Sequence, residues 1–161
     1  MAMVLAVLLT QAVLNVPAYS PPGALPPSAD AARLSLVIAT TVSETDPLPL
    51  CDRPNCTSLF LGRYRDARTV AGPAVEPEFS ARVEMGSPWN RSYRLALIVE
   101  DRPGQERLVR AVAGFRADSG QACFDSGDTR PLGWAPEGAA VSTASGAICV
   151  SEAAGPDADP A

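Results

Sequence analysis

The sequence predicts a small all-β domain, either a partly open antiparallel barrel or a sandwich of about six strands. Apolar and polar residues alternate with a period of two in several segments between residues 33 and 150. Turn-forming Pro, Gly and Asp residues separate these segments, and no segment has the apolar spacing of an amphipathic helix of normal length. A barrel is favoured because Gly62, Gly72 and Gly114 lie where strands can coil or bend.

The first two predicted strands lie at residues 33–42 and 58–70. The first, "RLSLVIATTV", is rich in β-branched residues, which favour strands. The second, "SLFLGRYRDARTV", contains Gly62, which we expect at a bulge or at a point of close approach.

The remaining strands follow from alternation. "FSARVEM" is predicted to place four residues on one inner face: Phe79, Ala81, Val83 and Met85. Residues 93–116 are predicted as a hairpin, because Pro103-Gly104 suits a type II turn. Its strands are expected to bury one face each, consisting of Tyr93, Leu95, Leu97 and Val99, and of Val109, Ala111, Ala113 and Phe115. A long loop is expected at 117–138, and "AVSTASGAICV" supplies a last strand.

The ends of the chain predict export. Residues 1–18 are mostly apolar and end in Val-Pro-Ala, which indicates a signal peptide cleaved between Ala18 and Tyr19. A Pro/Ala-rich linker is expected at 19–32, a single β domain at 33–150, and an acidic disordered tail at 151–161. The mature protein is therefore expected in the periplasm or the medium, without a membrane span.

The composition excludes several chemistries. The chain has no His and no Lys, and its 13 cationic side chains are all Arg. Ser-His-Asp and Cys-His nucleophile systems, Lys Schiff bases and P-loop phosphate binding are thereby excluded. The net charge of −5 also disfavours a nucleic-acid partner.

The four cysteines predict two disulfide bonds. An even number behind an export signal indicates bridges, and three connectivities are possible for Cys51, Cys56, Cys123 and Cys149. We expect a local Cys51–Cys56 bridge around the turn-forming "DRPN" and a long-range Cys123–Cys149 bridge. Zinc binding and a redox role are less favoured, because the spacings do not match those sites. No metal or cofactor is expected.

Arginines and tryptophans are the candidate contact residues. An outward arginine stripe able to bind an anion would consist of Arg63, Arg65, Arg82, Arg94 and Arg110. The favoured alternative is a solvated face paired with Glu84, Glu100, Asp66 and Glu106. Trp89 and Trp134 lie in Pro/Gly-flanked loops, where they either plug the barrel ends or anchor a partner.

The stretch "CTSLFLGRYRDARTVAG", residues 56–72, resembles netrin-like and metalloproteinase-inhibitor modules. In those modules a Cys leads into an apolar strand containing a Gly, within an exported, disulfide-bonded domain. The resemblance implies an OB-like barrel. It assigns no functional residue, because the mature N-terminus lacks the Cys that such inhibitors use.

These observations predict a non-enzymatic exported binding module for an unknown protein or small ligand. A first alternative is a small hydrolase that uses carboxylates drawn from Glu84, Glu100 and Asp101. A second is an oligonucleotide or polyanion binder that uses the arginine stripe.

Overall fold

A computed structural model describes residues 30–50, 57–138, 141–144 and 147–152. The signal peptide, nearly all of the linker, the tail beyond residue 152 and the predicted Cys51–Cys56 bridge lie outside these ranges. Within them no helix is long and apolar enough to cross a membrane.

Strands dominate the described residues, as expected from the period-two alternation. In chain order they are β1 (Leu34–Pro49), β2 (Ser58–Ala71), β3 (Phe79–Met85), β4 (Arg94–Glu100), β5 (Arg107–Gly114), β6 (Gln121–Phe124), β7 (Val141–Ala144) and β8 (Ala147–Ser151). The described helical segments are a 3₁₀ turn at Ala31–Arg33, a four-residue helix α1 (Ser126–Thr129) and a 3₁₀ turn at Arg130–Leu132.

Five strands close into a barrel in the order β1-β2-β3-β5-β4, with β4 pairing back to β1. The β3–β5 pair is parallel and spans only Ala81–Val83 on β3, whereas the other barrel pairs are antiparallel. A small five-stranded barrel of this kind has the architecture of an OB-type fold. The predicted all-β barrel class is confirmed, but the barrel is closed where a partly open one was expected.

The predicted hairpin at 93–116 is confirmed as β4 and β5. Its turn is closed by the Gln105 backbone N–H, which donates to the Arg102 carbonyl at 2.9 Å. Gly104 has φ +71°, as a type II turn requires at that position.

The described residues form two apolar cores. The barrel interior is filled from all five barrel strands, by Val37, Ala39, Phe60, Tyr64, Phe79, Ala81, Val83, Leu95, Leu97, Val99 and Val109. The second core lies between the barrel wall and a three-stranded sheet of order β6-β8-β7, and contains Leu34, Leu36, Ile38, Ala96, Ile98, Ala111, Ala113, Ala122, Phe124, Leu132, Ile148 and Val150.

The expected inner face of β4 is confirmed, because Leu95, Leu97 and Val99 lie in the barrel interior, but this strand is buried on both faces. The single inner face expected for β5 was wrong. On β4 the interior face carries Leu97 and the outer face carries Ile98, and both are fully buried. The cause is the second sheet, which covers the outer face of the barrel wall. On β5 a register shift opposite Ile98 and Val99 sends Val109 to the barrel interior but Ala111 to the second core. An irregularity of this kind reverses the side-chain alternation.

Residues 117–151 also differ from expectation. The predicted loop contains β6 and α1, and the predicted last strand is two strands, β7 and β8. Cys123 lies directly opposite Cys149 in the β6–β8 ladder, and the two are joined by a disulfide bond. The predicted long-range bridge is confirmed.

Candidate functional site

Four of the five candidate arginines form ion pairs, each with a different carboxylate. Arg82 pairs with Glu106 at 2.6 Å, and Arg94 pairs with Glu152 at 3.4 Å.

Arg110 was expected to point outward, but its side chain is only 9% exposed. It binds Glu100, which is 7% exposed, with an Nη2–Oε2 distance of 2.6 Å. The other Glu100 oxygen accepts the Asp30 backbone N–H at 2.9 Å. The pair is thus desolvated and fixed between the β4–β5 hairpin and the start of the described domain. Glu100, an expected hydrolase carboxylate, is sequestered by these contacts.

Arg63 and Arg65 are the two stripe arginines that share one cleft. Both are exposed on β2, and Arg65 contacts Asp66 at 3.5 Å. They line a depression of about 390 Å³, here called the β2–β3 cleft, together with Val42, Tyr64, Glu78, Phe79 and Ser80.

The tryptophans occupy different cores. Trp89, in the β3–β4 connection, packs half-buried against the barrel interior and lies 6.4 Å from the Tyr93 ring. Trp134 packs half-buried against the second core. Both rings therefore contribute to packing, and Trp89 fills one end of the barrel.

A second cleft opens at the same barrel end as Trp89. This Trp89 cleft has a volume of about 350 Å³ and is lined by Val42, Ser43, Glu44, Pro88, Trp89, Asn90, Arg91 and Ser92. Val42 lines both this cleft and the β2–β3 cleft, and it is 52% exposed. A ligand in either cleft would contact this apolar side chain.

Tyr64 lies buried beneath this region. Its ring stacks on Phe79, directly opposite in the β2–β3 ladder, at a centroid distance of 4.9 Å. The ring also lies against Gly62, where a Cβ would stand 2.6 Å from the phenol oxygen. The expected close approach at Gly62 is confirmed. Among the described residues, the Tyr64 hydroxyl is the buried side-chain group that has no hydrogen-bond partner.

Glu44 shares the inner side of the sheet with this phenol. It lies directly opposite Gly62 in the β1–β2 ladder, and Gly62 is opposite the inward-facing Ala81. Partial burial raises the pKa of Glu44, while a hydrogen bond from the Trp89 backbone N–H acts in the opposite direction. Burial raises the pKa of Tyr64, and the negative charge of Glu44 raises it further.

A third cleft, of about 400 Å³, lies where β3 and β5 separate. Its rim carries Glu84, Arg110 and Asp128, and Glu84 accepts a hydrogen bond from the Thr57 hydroxyl at 2.5 Å. The expected carboxylates do not assemble here. Glu84 lines this cleft, but Glu100 is buried against Arg110 and Asp101 pairs with Arg107 at 3.2 Å.

Within the described ranges, no group of three or more Cys, Asp or Glu side chains is placed to hold a metal ion. Comparison of the chain with protein-family models, curated proteins and solved structures finds no match. The site is therefore defined by its own geometry, on an OB-type barrel with an added three-stranded sheet.

Sequence analysis missed Glu44 and Tyr64. Glu44 lies beyond the predicted end of β1 at residue 42, because β1 continues to Pro49. The alternation Phe60-Gly62-Tyr64 does carry a signal, since these residues share one face of β2. A Gly two positions before an inward Tyr is the pattern that could have indicated this packing.

Proposed function

We propose that this protein is an exported, non-enzymatic binding module whose ligand contacts the barrel end around Val42. The observation that carries the proposal is the exposure of Val42 between the β2–β3 cleft and the Trp89 cleft. Apolar surface flanked by polar groups is typical of ligand contacts. The Cys123–Cys149 disulfide is compatible with an oxidising compartment outside the cytoplasm.

Two features support binding over the alternatives. A polyanion site needs cations on one surface, but Arg82, Arg94 and Arg110 are held in ion pairs. A carboxylate hydrolase needs an acid and a base facing one substrate, whereas Glu100 and Asp101 are each engaged by an arginine.

The test compares two charged substitutions on β1. Val42→Asp places a charge between the two clefts, while Leu48→Asp places one at a second exposed apolar position of the same strand, 38% exposed. Immobilised wild-type and variant proteins are incubated with envelope extract of the producing organism, and the retained ligands are identified by mass spectrometry.

We expect Val42→Asp to lose a ligand that the wild type and Leu48→Asp both retain. Equal retention by all three proteins would refute the barrel-end contact. Turnover of a retained ligand by the purified protein would refute the non-enzymatic assignment. Circular dichroism of each variant verifies that the fold is intact.

A further inference from the structure

We propose that the β2–β3 cleft binds a zwitterionic α-amino acid with an apolar side chain, its carboxylate paired with Arg63 and its ammonium group with Glu78. This inference rests on the proposed function, because it names the ligand class of a cleft that Val42 lines. It is carried by two opposite, unpaired charges in one cleft and by the exposed apolar side chain beside them.

Arg63 and Glu78 lie close together on the β2–β3 pair. Arg63 is directly opposite Ser80, and Glu78 comes two residues before Ser80, so the two charged residues are diagonal neighbours. Such neighbours are about 7–8 Å apart, a separation that long side chains can span. Both residues are exposed, and both line the same cleft of about 390 Å³. This volume lies within the range of small-ligand pockets.

Neither of these two charges is neutralised by the protein. Within the residues that the structure describes, Arg63 and Glu78 form no ion pair with each other or with another side chain. Arg65, the second cation of the cleft, differs because it contacts Asp66 at 3.5 Å. The Arg63 guanidinium and the Glu78 carboxylate are therefore both available to a ligand.

The charges of the cleft select a ligand that carries both signs. The two arginines of the cleft are balanced by Glu78 and by Asp66, the partner of Arg65. An anion would be repelled by Glu78 and a cation by Arg63, and each would leave one charge of the cleft unpaired. A zwitterion satisfies both, because guanidinium binds carboxylate and a carboxylate accepts hydrogen bonds from ammonium. An α-amino acid holds its two charges as close together as these neighbouring residues require.

Val42 indicates the apolar part of the ligand. The β1–β2 pairing shifts register between Thr41 and Ser43, and Val42 is the extra residue at this irregularity. Its side chain is 52% exposed and lines the same cleft as the two charges. An aliphatic ligand side chain placed against Val42 would remove apolar surface from water, which favours binding.

The test uses three probes that differ in their charged groups. L-Leucine carries both charges, 4-methylpentanoate has the same carbon skeleton without the ammonium group, and 3-methylbutylamine lacks the carboxylate. NMR titration of the purified full chain gives the affinity for each probe. The backbone amide shifts show whether the probe binds at β2 and β3.

Arg63→Gln and Glu78→Gln each remove one charge from the cleft. Arg130→Gln and Glu137→Gln are the matched controls, because both residues are exposed and lie outside this cleft. Neither control residue forms an ion pair within the described ranges. Each control changes the net charge of the protein by the same amount as the cleft variant that it accompanies.

We expect leucine to bind about tenfold or more tightly than either singly charged probe, the effect of one hydrogen-bonded charge pair. Arg63→Gln should weaken leucine binding by about the same factor without weakening the binding of 3-methylbutylamine. Glu78→Gln should weaken leucine binding similarly without weakening the binding of 4-methylpentanoate. Both controls should stay within about twofold of the wild type, because a distant exposed charge acts weakly through solvent.

Three outcomes would overturn the inference. If leucine binds no more tightly than the singly charged probes, the cleft does not recognise a zwitterion. If Arg63→Gln or Glu78→Gln binds leucine as tightly as the wild type, that residue is not part of the site. If the wild type does not bind leucine at its solubility limit, Arg63 and Glu78 are ordinary solvated charges. In that case loss of the envelope ligand in Val42→Asp alone would leave the binding-module proposal standing.

Discussion

Substitution of Gly62 by Ala tests the packing of the barrel end. The added Cβ would lie 2.6 Å from the phenol oxygen of Tyr64 and 2.9 Å from the ring carbon that carries it. The ring cannot move aside freely, because it stacks on Phe79 and is 2% exposed. We expect Gly62→Ala to lower the free energy of unfolding by about 1–3 kcal/mol, the usual range for overpacking.

Urea denaturation followed by tryptophan fluorescence measures this change. With an m-value of about 1–3 kcal/mol/M, the midpoint should fall by about 1 M while the m-value stays constant. Gly114→Ala is the matched control, because a Cβ there has no neighbour within 4 Å and φ is not positive. It should be neutral, or stabilising by about 0.4–1 kcal/mol.

The double substitution Gly62→Ala with Tyr64→Phe tests the cause. Removing the phenol oxygen eliminates the shortest contact, so Tyr64→Phe should be less harmful in the Gly62→Ala variant than in the wild type. A non-zero coupling energy in the double-mutant cycle is therefore expected. A midpoint for Gly62→Ala within experimental error of the wild type would contradict the proposed close packing.

Three further outcomes are expected. Cys149→Ser removes the disulfide bond to Cys123, a bond that closes a span of 26 residues. In the chain-entropy model this should lower the free energy of unfolding by about 3–4 kcal/mol, as measured by urea titration. Glu100→Gln removes the carboxylate from a buried ion pair with Arg110 and should lower the free energy of unfolding by about 3–5 kcal/mol, whereas a loss below about 1 kcal/mol would contradict the buried pair. Burial raises the pKa of Glu44 in the folded state, so the stability that its protonated form contributes is fully present below its unfolded pKa and is lost as the pH rises through its folded pKa. The thermal midpoint should therefore fall over this pH range in the wild type. Glu44→Gln should remove that fall.

Local sequence patterns predicted the barrel strands but not the second sheet. The alternation in β3 places Phe79, Ala81 and Val83 inside the barrel, as expected. Alternation cannot reveal a strand that is buried on both faces, because "RLALIVE" presents apolar residues at almost every position. The sheet that covers β4 includes the four-residue strand β6, which is too short to show a period between its flanking turn residues.

The candidate site was only partly predictable, because it depends on which residues face each other across neighbouring strands. The sequence indicated Trp89 and Gly62 as special positions, and the structure packs Trp89 against the barrel interior and Gly62 against the Tyr64 ring. It gave no indication of the pairing of Glu44 with Gly62, because cross-strand register depends on bulges in β1 that no local pattern specifies. Similarly, the buried contact between Arg110 and Glu100 depends on the register of the β4–β5 hairpin, which no local pattern specifies.

The double burial of β4 has a consequence for how the protein unfolds. Leu97 belongs to the barrel interior and its neighbour Ile98 belongs to the second core, so one strand supplies side chains to both. Separation of the β6-β8-β7 sheet would expose Ile98 to water and remove the support of the wall that positions Leu97. The barrel and the sheet are therefore expected to lose their structure in a single cooperative transition, with β4 amides among the last to exchange with solvent.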